Sequence, residues 1–252
     1  MSLIFRSMKP TLPTGWVFPP LRGRSLAAAA LAALILACAR GGGAAGARTP
    51  GEKASASASA APDTSDPRVR RADLARIQGD SNATVWMVMA SDFQCPYCKI
   101  WHDSTEPAIL REYVRTGKIR LAYVNFPISQ HQNAVPAAEA AMCAGAQGKF
   151  WEYGNQLFAT QDEWSLLPTP QPVYMRLAGA MTLDTAAFGQ CLRDHVMIAM
   201  IKADQSRAQK SGVRGTPTFF VGSHEIGNAP AQVFRPVLDS AIAEQQRMGK
   251  RK

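Results

Sequence analysis

Cys95-Pro96-Tyr97-Cys98 stands at the junction of two unlike patterns, and that junction limits the folds open to this chain. Before it, Thr84-Val85-Trp86-Met87-Val88-Met89-Ala90 is a compact run of β-branched, aromatic and apolar residues, short enough for a buried strand of the parallel kind. After it, Lys99 to Thr116 carries Ile100, Trp101, Pro107, Ile109, Leu110 and Val114 at helical spacing, with Pro107 predicted to kink or split the helix. A strand that feeds a helix through two such cysteines puts the first sulfur at a helix N-terminus. There, unpaired backbone N–H groups and the macrodipole favour a thiolate. Cys95 is the expected nucleophile, and Cys98, one turn further in and less exposed, is expected to attack a mixed disulfide on Cys95. Pro96 fits the first helical turn because its missing N–H costs nothing there.

Other uses of the pair fit less well. A c-type haem site needs His directly after the second cysteine, and Lys99 is there. Zinc could recruit Cys95, Cys98 and His102, but no second Cys-x-x-Cys and no His-x-x-x-His completes the set. A passive staple over so short a loop contributes little unfolded-state entropy.

Downstream, Ile119 to Phe126 reads as a second strand after the Gly117 stop. Ala134–Ala146, Lys149–Ala159, Val173–Gly179, Asp184–Arg193 and Val196–Lys210 read as helices. Thr218-Phe219-Phe220-Val221 and His224-Glu225-Ile226 read as a β-hairpin, and a last helix runs from Ala231 to Gln246. The order β, α, β, helical insert, β, β, α predicts an α/β layered domain with helices covering a small mixed sheet.

The N-terminal part is read as an address. Arg22 and Arg24 precede the apolar stretch Leu26 to Ala37, which suits the h-region of a secretory signal and is too short to span a bilayer. Ile35-Leu36-Ala37-Cys38 resembles a bacterial lipobox, which makes Cys38 the expected site of lipidation. Cleavage after Ala45-Gly46-Ala47 and an uncleaved anchor are the alternatives, and Met8 is an alternative start. Ala39 to Pro67, poor in large apolar residues, reads as a flexible tether. The formal charge of +9 also has to be apportioned: residues 1–37 hold Arg6, Lys9, Arg22 and Arg24 and no acid. The rest is spread along the chain apart from a terminal cluster of Arg247, Lys250, Arg251 and Lys252, without the basic stripe and interleaved aromatics that nucleic-acid binding requires. No apolar run long enough to span a bilayer occurs, which argues against a multi-span membrane protein.

Three segments in order, Ser91-Asp92-Phe93-Gln94-Cys95-Pro96-Tyr97-Cys98, Cys143 to Trp151 and Gly215-Thr216-Pro217-Thr218-Phe219-Phe220-Val221, resemble the DsbA-like thiol:disulfide oxidoreductases over about Ala72 to Gln246. The resemblance implies a thioredoxin fold with an inserted helical domain, at about residues 127–212 of a domain spanning 67–252, after a signal peptide (1–37) and a tether (38–66). It also implies a cis peptide before Pro217, packed beside Cys95, with Thr216 offering backbone hydrogen bonds to an extended substrate segment. A proline leading straight into apolar β-formers marks the same position independently. There are departures. DsbA has a buried Glu six residues before its first active-site cysteine, and Met89 stands here, so Asp92 is either a related proton acceptor or a helix cap. The Pro-Tyr dipeptide leaves the potential open between about −270 and about −120 mV.

With Cys38 assigned to lipid and Cys95 and Cys98 to chemistry, Cys143 and Cys191 are expected to pair. In an oxidising compartment this closes a loop of about 49 residues and contributes roughly 4 kcal/mol. His102 reads as a possible support for the Cys95 thiolate or as helix packing, and His131 as solvated. Trp151, Tyr153, Phe158 and Trp164 read as core. The expectation is an exported monomeric enzyme without cofactor or metal. It would oxidise cysteine-containing exported proteins, be recycled by a membrane redox partner and be held at the cell envelope by a lipid anchor. A reductase or isomerase fed by a membrane electron donor, and a binding or chaperone module with an inert disulfide, are the rival readings.

Overall fold

The computed structural model describes residues 65–250; the signal segment 1–37, Cys38 and the tether up to residue 64 lie outside the described residues. Asp66 accepts from Arg68 N and so caps α1 (Pro67–Ala75). A short edge strand follows, β1 (Ile77–Gln78), and then β2 (Val85–Ser91), α2 (Pro96–Ser104), α3 (Glu106–Ile109) and β3 (Ile119–Asn125). Six helices come between β3 and the next strand: α4 (Ala134–Gly145), α5 (Phe150–Ala159), α6 (Gln161–Trp164), α7 (Gln171–Ala180), α8 (Thr185–Arg193) and α9 (Ile198–Lys210). The hairpin β4 (Thr218–Val221) and β5 (His224–Ile226) leads into α10 (Ala231–Gly249).

The five strands order as β1-β3-β2-β4-β5, with β2 parallel to β3 and antiparallel to β4. Met89 sits opposite Tyr123 on one side and Phe219 on the other, so these three side chains share one face of the sheet. That face carries the main core, in which Trp101 of α2 packs on Phe219 and Phe234, and Phe93 stacks on Tyr123. The opposite face is smaller and is closed by Ala90, Phe126, Ala208 and Val213. A buried carboxylate secures the far end of β3: Asp204 of α9 pairs with Arg76 and accepts from the Asn125 backbone N–H at 3.1 Å and side-chain amide at 3.0 Å.

This is the α/β layered sheet with a helical insert that the strand and helix patterns predict. The helix after the cysteines divides at Thr105, two residues before Pro107. Pro107 therefore falls in the first turn of α3, where no N–H is needed, and the chain continues as a π-helical turn, Leu110–Val114. Three elements lack a sequence signal: α1, whose charged stretch hides a one-sided burial of Val69 and Ala72, the two-residue edge strand β1, and α6, a single turn. Among the described residues no helix is long and apolar enough to cross a membrane.

Candidate active site

β2 ends at Ser91 and α2 begins at Pro96, so residues 92–95 form a turn that delivers Cys95 as the N-cap residue of α2, in extended conformation. Its side chain caps nothing. When protonated, the sulfur instead donates to Thr216 O at 3.4 Å, beside the cis Thr216–Pro217 peptide that precedes β4. The Thr216 hydroxyl is buried without a hydrogen bond and faces the same sulfur. Topology explains the meeting: β4 is the neighbour of β2, so the loop entering β4 and the turn leaving β2 open at the same end of the sheet.

Cys95 and Cys98 are both free thiols and both only 2% exposed, so the expected contrast between an open and a covered cysteine is absent from the surface. It lies in the neighbours instead. A hydrogen bond from the Cys98 thiol does most to lower the Cys95 pKa, which falls to about 6 against the opposing effect of burial. Thr216 and the N–H groups of Cys98 and Tyr97 add to the lowering, so the helix N-terminus acts as expected but is not the leading cause. Cys98 is pushed well above the ordinary thiol value, first by burial and then by the anion at Cys95; only the Ser91 side chain and the Asp92 N–H oppose this. Near neutral pH the pair therefore holds a thiolate at Cys95 and a proton at Cys98.

Side-chain amides and one carboxylate lock the turn. Asp92 is fully buried and accepts from Gln94 N at 2.8 Å, Ile128 N at 2.9 Å and His131 Nδ1 at 2.7 Å. It is neither exposed nor a helix cap, and burial raises its pKa. His131, expected to be solvated, is mostly covered and bound to this carboxylate. Gln161 donates to Phe93 O at 2.7 Å and Cys95 O at 3.3 Å, and Gln94 donates to Ser165 O at 2.6 Å. Asn133 donates its N–H to Gln94 Oε1 at 2.7 Å and its amide to Leu167 O at 2.8 Å. The insert thus holds the turn from one side and the β3–α4 loop from another. Gln161, Asn133 and His131 carried no recognisable sequence signal as site residues, because each acts across more than 30 positions of chain.

His102 lies on the Cys98 side of α2 but is turned away: its ring bonds Asp103 and Asn155 and packs on Phe158. One further turn on, Glu106 is buried, with His102 Nε2 at 3.6 Å, and burial lifts its pKa to about 7. Among the described residues no group of three or more His, Cys, Asp or Glu side chains is placed to hold a metal. Cys143 and Cys191 are bonded to each other, with a Cα–Cα distance of 5.9 Å, joining α4 to α8.

Residues 72–240 match the family model described as thioredoxin. The Na(+)/H(+) antiporter NhaA 3 of Salinispora tropica is 35% identical over 173 residues, which is 68% of this chain and 25% of that protein. The chain thus spans about a quarter of the length of the antiporters it matches. The probable disulfide bond formation protein D of Bacillus anthracis is 27% identical over 171 residues, 65% of this chain and 76% of the relative. Among solved structures, alpha-DsbA1 of Wolbachia pipientis superposes with a TM-score of 0.60 at 24% identity, covering 67% of this chain and 91% of that one. BdbD of Bacillus subtilis gives 0.61 at 20%, covering 67% and 92%. The fold is therefore DsbA-like.

Proposed function

This chain belongs to the thioredoxin family, and from that premise we propose that it is a DsbA-like thiol:disulfide oxidoreductase that forms disulfides in cysteine-containing exported proteins. Cys95 is the reacting sulfur, Cys98 its resolving partner, and Thr216 and Pro217 frame the substrate. The observation that carries this reading is the opposed tuning of the two thiols, about 6 at Cys95 and well above the ordinary value at Cys98. A dithiol whose thiolate is stabilised is favoured over its disulfide, which makes that disulfide an oxidant. The name of the Bacillus anthracis relative, a disulfide bond formation protein, supports the same direction.

In the oxidised form a substrate thiolate attacks Cys95 Sγ. The Cys95–Cys98 bond breaks, its electron pair passes to Cys98 Sγ, and a substrate–Cys95 disulfide forms. A second substrate thiolate then attacks the substrate sulfur of that bond and expels Cys95 as a thiolate, which its low pKa makes a good leaving group. Two electrons and two protons pass from substrate to the cysteine pair, and a membrane redox partner takes them on. With Cys95 only 2% exposed, the attacking cysteine has to arrive on an extended, unfolded segment.

Glutathione equilibration of the purified chain tests the direction. A Cys95–Cys98 potential near about −120 mV supports the oxidase, and one at or below about −270 mV overturns it in favour of a reductase or an inert disulfide. Export by residues 1–37, lipid attachment at Cys38, a tether up to residue 66 and a monomeric domain from 67 to 252 complete the proposal, on the sequence pattern alone. Replacing Cys38 by Ala is expected to move the protein from the membrane fraction to the soluble one, and retention at the membrane would refute the anchor.

A further inference from the structure

The Tyr123 hydroxyl is an idle donor. It is fully buried in the main core and makes no hydrogen bond, although its ring is held firmly, stacked on Phe93 at 4.9 Å with 10° between the planes and met edge-on by Phe150. Its surroundings are the redox centre. Ser91, two residues on from Met89, lies on the same face of the sheet as Tyr123 at the end of β2 that leads to the cysteines, and its side chain interacts with both the Tyr123 hydroxyl and the Cys98 sulfur. The charged or chargeable groups that face Tyr123 are Cys98 and Cys95 from α2 and Asp92 from the turn after β2; Asp92 is itself held by His131 from the β3–α4 loop.

Buried polar groups without a partner are rare because the desolvation they suffer is uncompensated. An idle donor beside a reacting atom gains a partner when charge develops there, and such a donor stabilises the reacting state more than the resting one. In this molecule the charge develops at Cys98. When the Cys95–Cys98 bond breaks, the electron pair arrives on a sulfur that burial makes a poor anion. Register adds to the argument: Tyr123 lies directly across the parallel ladder from Met89, an apolar residue beneath the active site, so the only hydroxyls the two strands offer there are those of Ser91 and Tyr123.

We propose that Ser91 and Tyr123 act in series as the donor pair for the Cys98 thiolate: Ser91 turns its O–H to the sulfur, and Tyr123 donates to the Ser91 oxygen thus left as an acceptor. The inference rests on the oxidoreductase reading above. In this step the substrate–Cys95 bond forms, the Cys95–Cys98 bond breaks, and both electrons of the broken bond go to Cys98. No proton leaves Tyr123 or Ser91; the proton that later settles on Cys98 comes from the substrate thiols. Hydrogen bonds to an anion are roughly twice as strong as neutral ones, and serial donors polarise one another. Ser91 and Tyr123 are positioning residues, with Tyr123 acting through Ser91.

The test is the rate at which dithiothreitol reduces the Cys95–Cys98 disulfide in the full chain, followed by stopped flow across pH 5–9. Tyr123→Phe keeps the aromatic stack and is expected to slow reduction about 10-fold, less than the loss of a donor in direct contact. Ser91→Ala is expected to slow it at least as much, and the double variant no further, since the two act through one path. Alkylation of Cys95 by iodoacetamide in the reduced chain, which expels no Cys98 thiolate, is expected to keep its rate and pH midpoint in Tyr123→Phe. An unchanged reduction rate in Tyr123→Phe overturns the proposal, as do single-variant losses that multiply. Alkylation slowed in parallel assigns Tyr123 a structural role and also overturns it. If instead the wild-type disulfide reacts no faster than that of a free Cys-Pro-Tyr-Cys peptide, the oxidoreductase reading is what fails.

Discussion

Cys95–Cys98 and Cys143–Cys191 belong to one buried core, yet they stand in opposite chemical surroundings. The first pair sits where a strand becomes a helix, with an unbonded hydroxyl, a backbone carbonyl and the first-turn N–H groups of Tyr97 and Cys98 in its neighbourhood. The second joins two helices across a sequence separation of 48, among the alanines of α4 and the aromatic side chains of the insert. Each pair also has a buried glutamate and a histidine nearby. Glu139, one turn before Cys143, is bonded by His195 Nδ1 at 3.1 and 3.2 Å. Glu106, two turns after Cys98, has only a 3.6 Å approach from His102, whose ring is already engaged elsewhere. The buried carboxylate of the insert has a close partner and that of the redox side does not. Polar groups left short of partners are where a protein stores a response to a change in charge.

The comparison is broken most severely at Cys95. Cys95→Ala is expected to reduce disulfide formation in a model dithiol peptide by at least about 10³-fold, since among the described residues no other thiolate is poised near neutral pH. Cys98→Ala is expected instead to accumulate a mixed disulfide at Cys95, visible by mass spectrometry after quenching with acid. Oxidation that survives the loss of Cys95, or a mixed disulfide found on Cys143 or Cys191, would place the chemistry on the other pair.

The sequence made some of this contrast visible and hid the rest for a physical reason. The Cys-Pro-Tyr-Cys junction, the apolar strand run and the proline before Thr218 are local signals, and they locate β2, α2 and the loop ahead of β4. The helical insert was legible from periodicity in the same way. The Asp92–His131 bond, the Gln161 and Asn133 amides and the approach of Tyr123 to Ser91 join residues distant in sequence, and no local pattern encodes them. His131 looked solvated because its neighbours Gln130 and Gln132 are polar, whereas the loop folds it back onto a carboxylate. Even the order of causes at Cys95 escaped, since the helix N-terminus was the visible influence and the Cys98 thiol proves the larger one.

A second prediction sharpens the contrast from the insert's side. The Cys143→Ala, Cys191→Ala double variant is expected to lose about 4 kcal/mol of stability, from the unfolded-state entropy of a loop this long, read as a lower denaturant midpoint with the slope nearly unchanged. The Cys95–Cys98 potential is expected to move by less than about 15 mV, a factor of about 3 in equilibrium constant. A larger shift in potential would mean that the two regions are coupled and that the insert tunes the redox pair.

The smallest expected effect concerns Glu106, and its sign tells whether the redox side carries an unsatisfied charge. Burial lifts the Glu106 pKa from its ordinary 4.5 to about 7, with His102 opposing and Asp103 reinforcing. Between those two values the folded chain holds a proton that the unfolded chain has released. The stabilising contribution is therefore complete below about pH 4.5 and is lost as the pH rises through about 7. Glu106→Gln removes this dependence, so at pH 8 the variant is expected to be more stable than wild type by about 2 kcal/mol, with little difference at pH 4. The comparison belongs in the oxidised protein, because the lowered Cys95 pKa gives the dithiol form the opposite slope, with stability gained as the pH rises from about 6 toward the unfolded thiol value. Burial raises the Glu139 pKa too, but the His195 bond opposes it, so Glu139→Gln is expected to bring a smaller gain than Glu106→Gln. If Glu139→Gln stabilised the chain at pH 8 and Glu106→Gln did not, the unsatisfied charge would lie in the insert, and the division between a poised region and a satisfied one would have to be drawn the other way round.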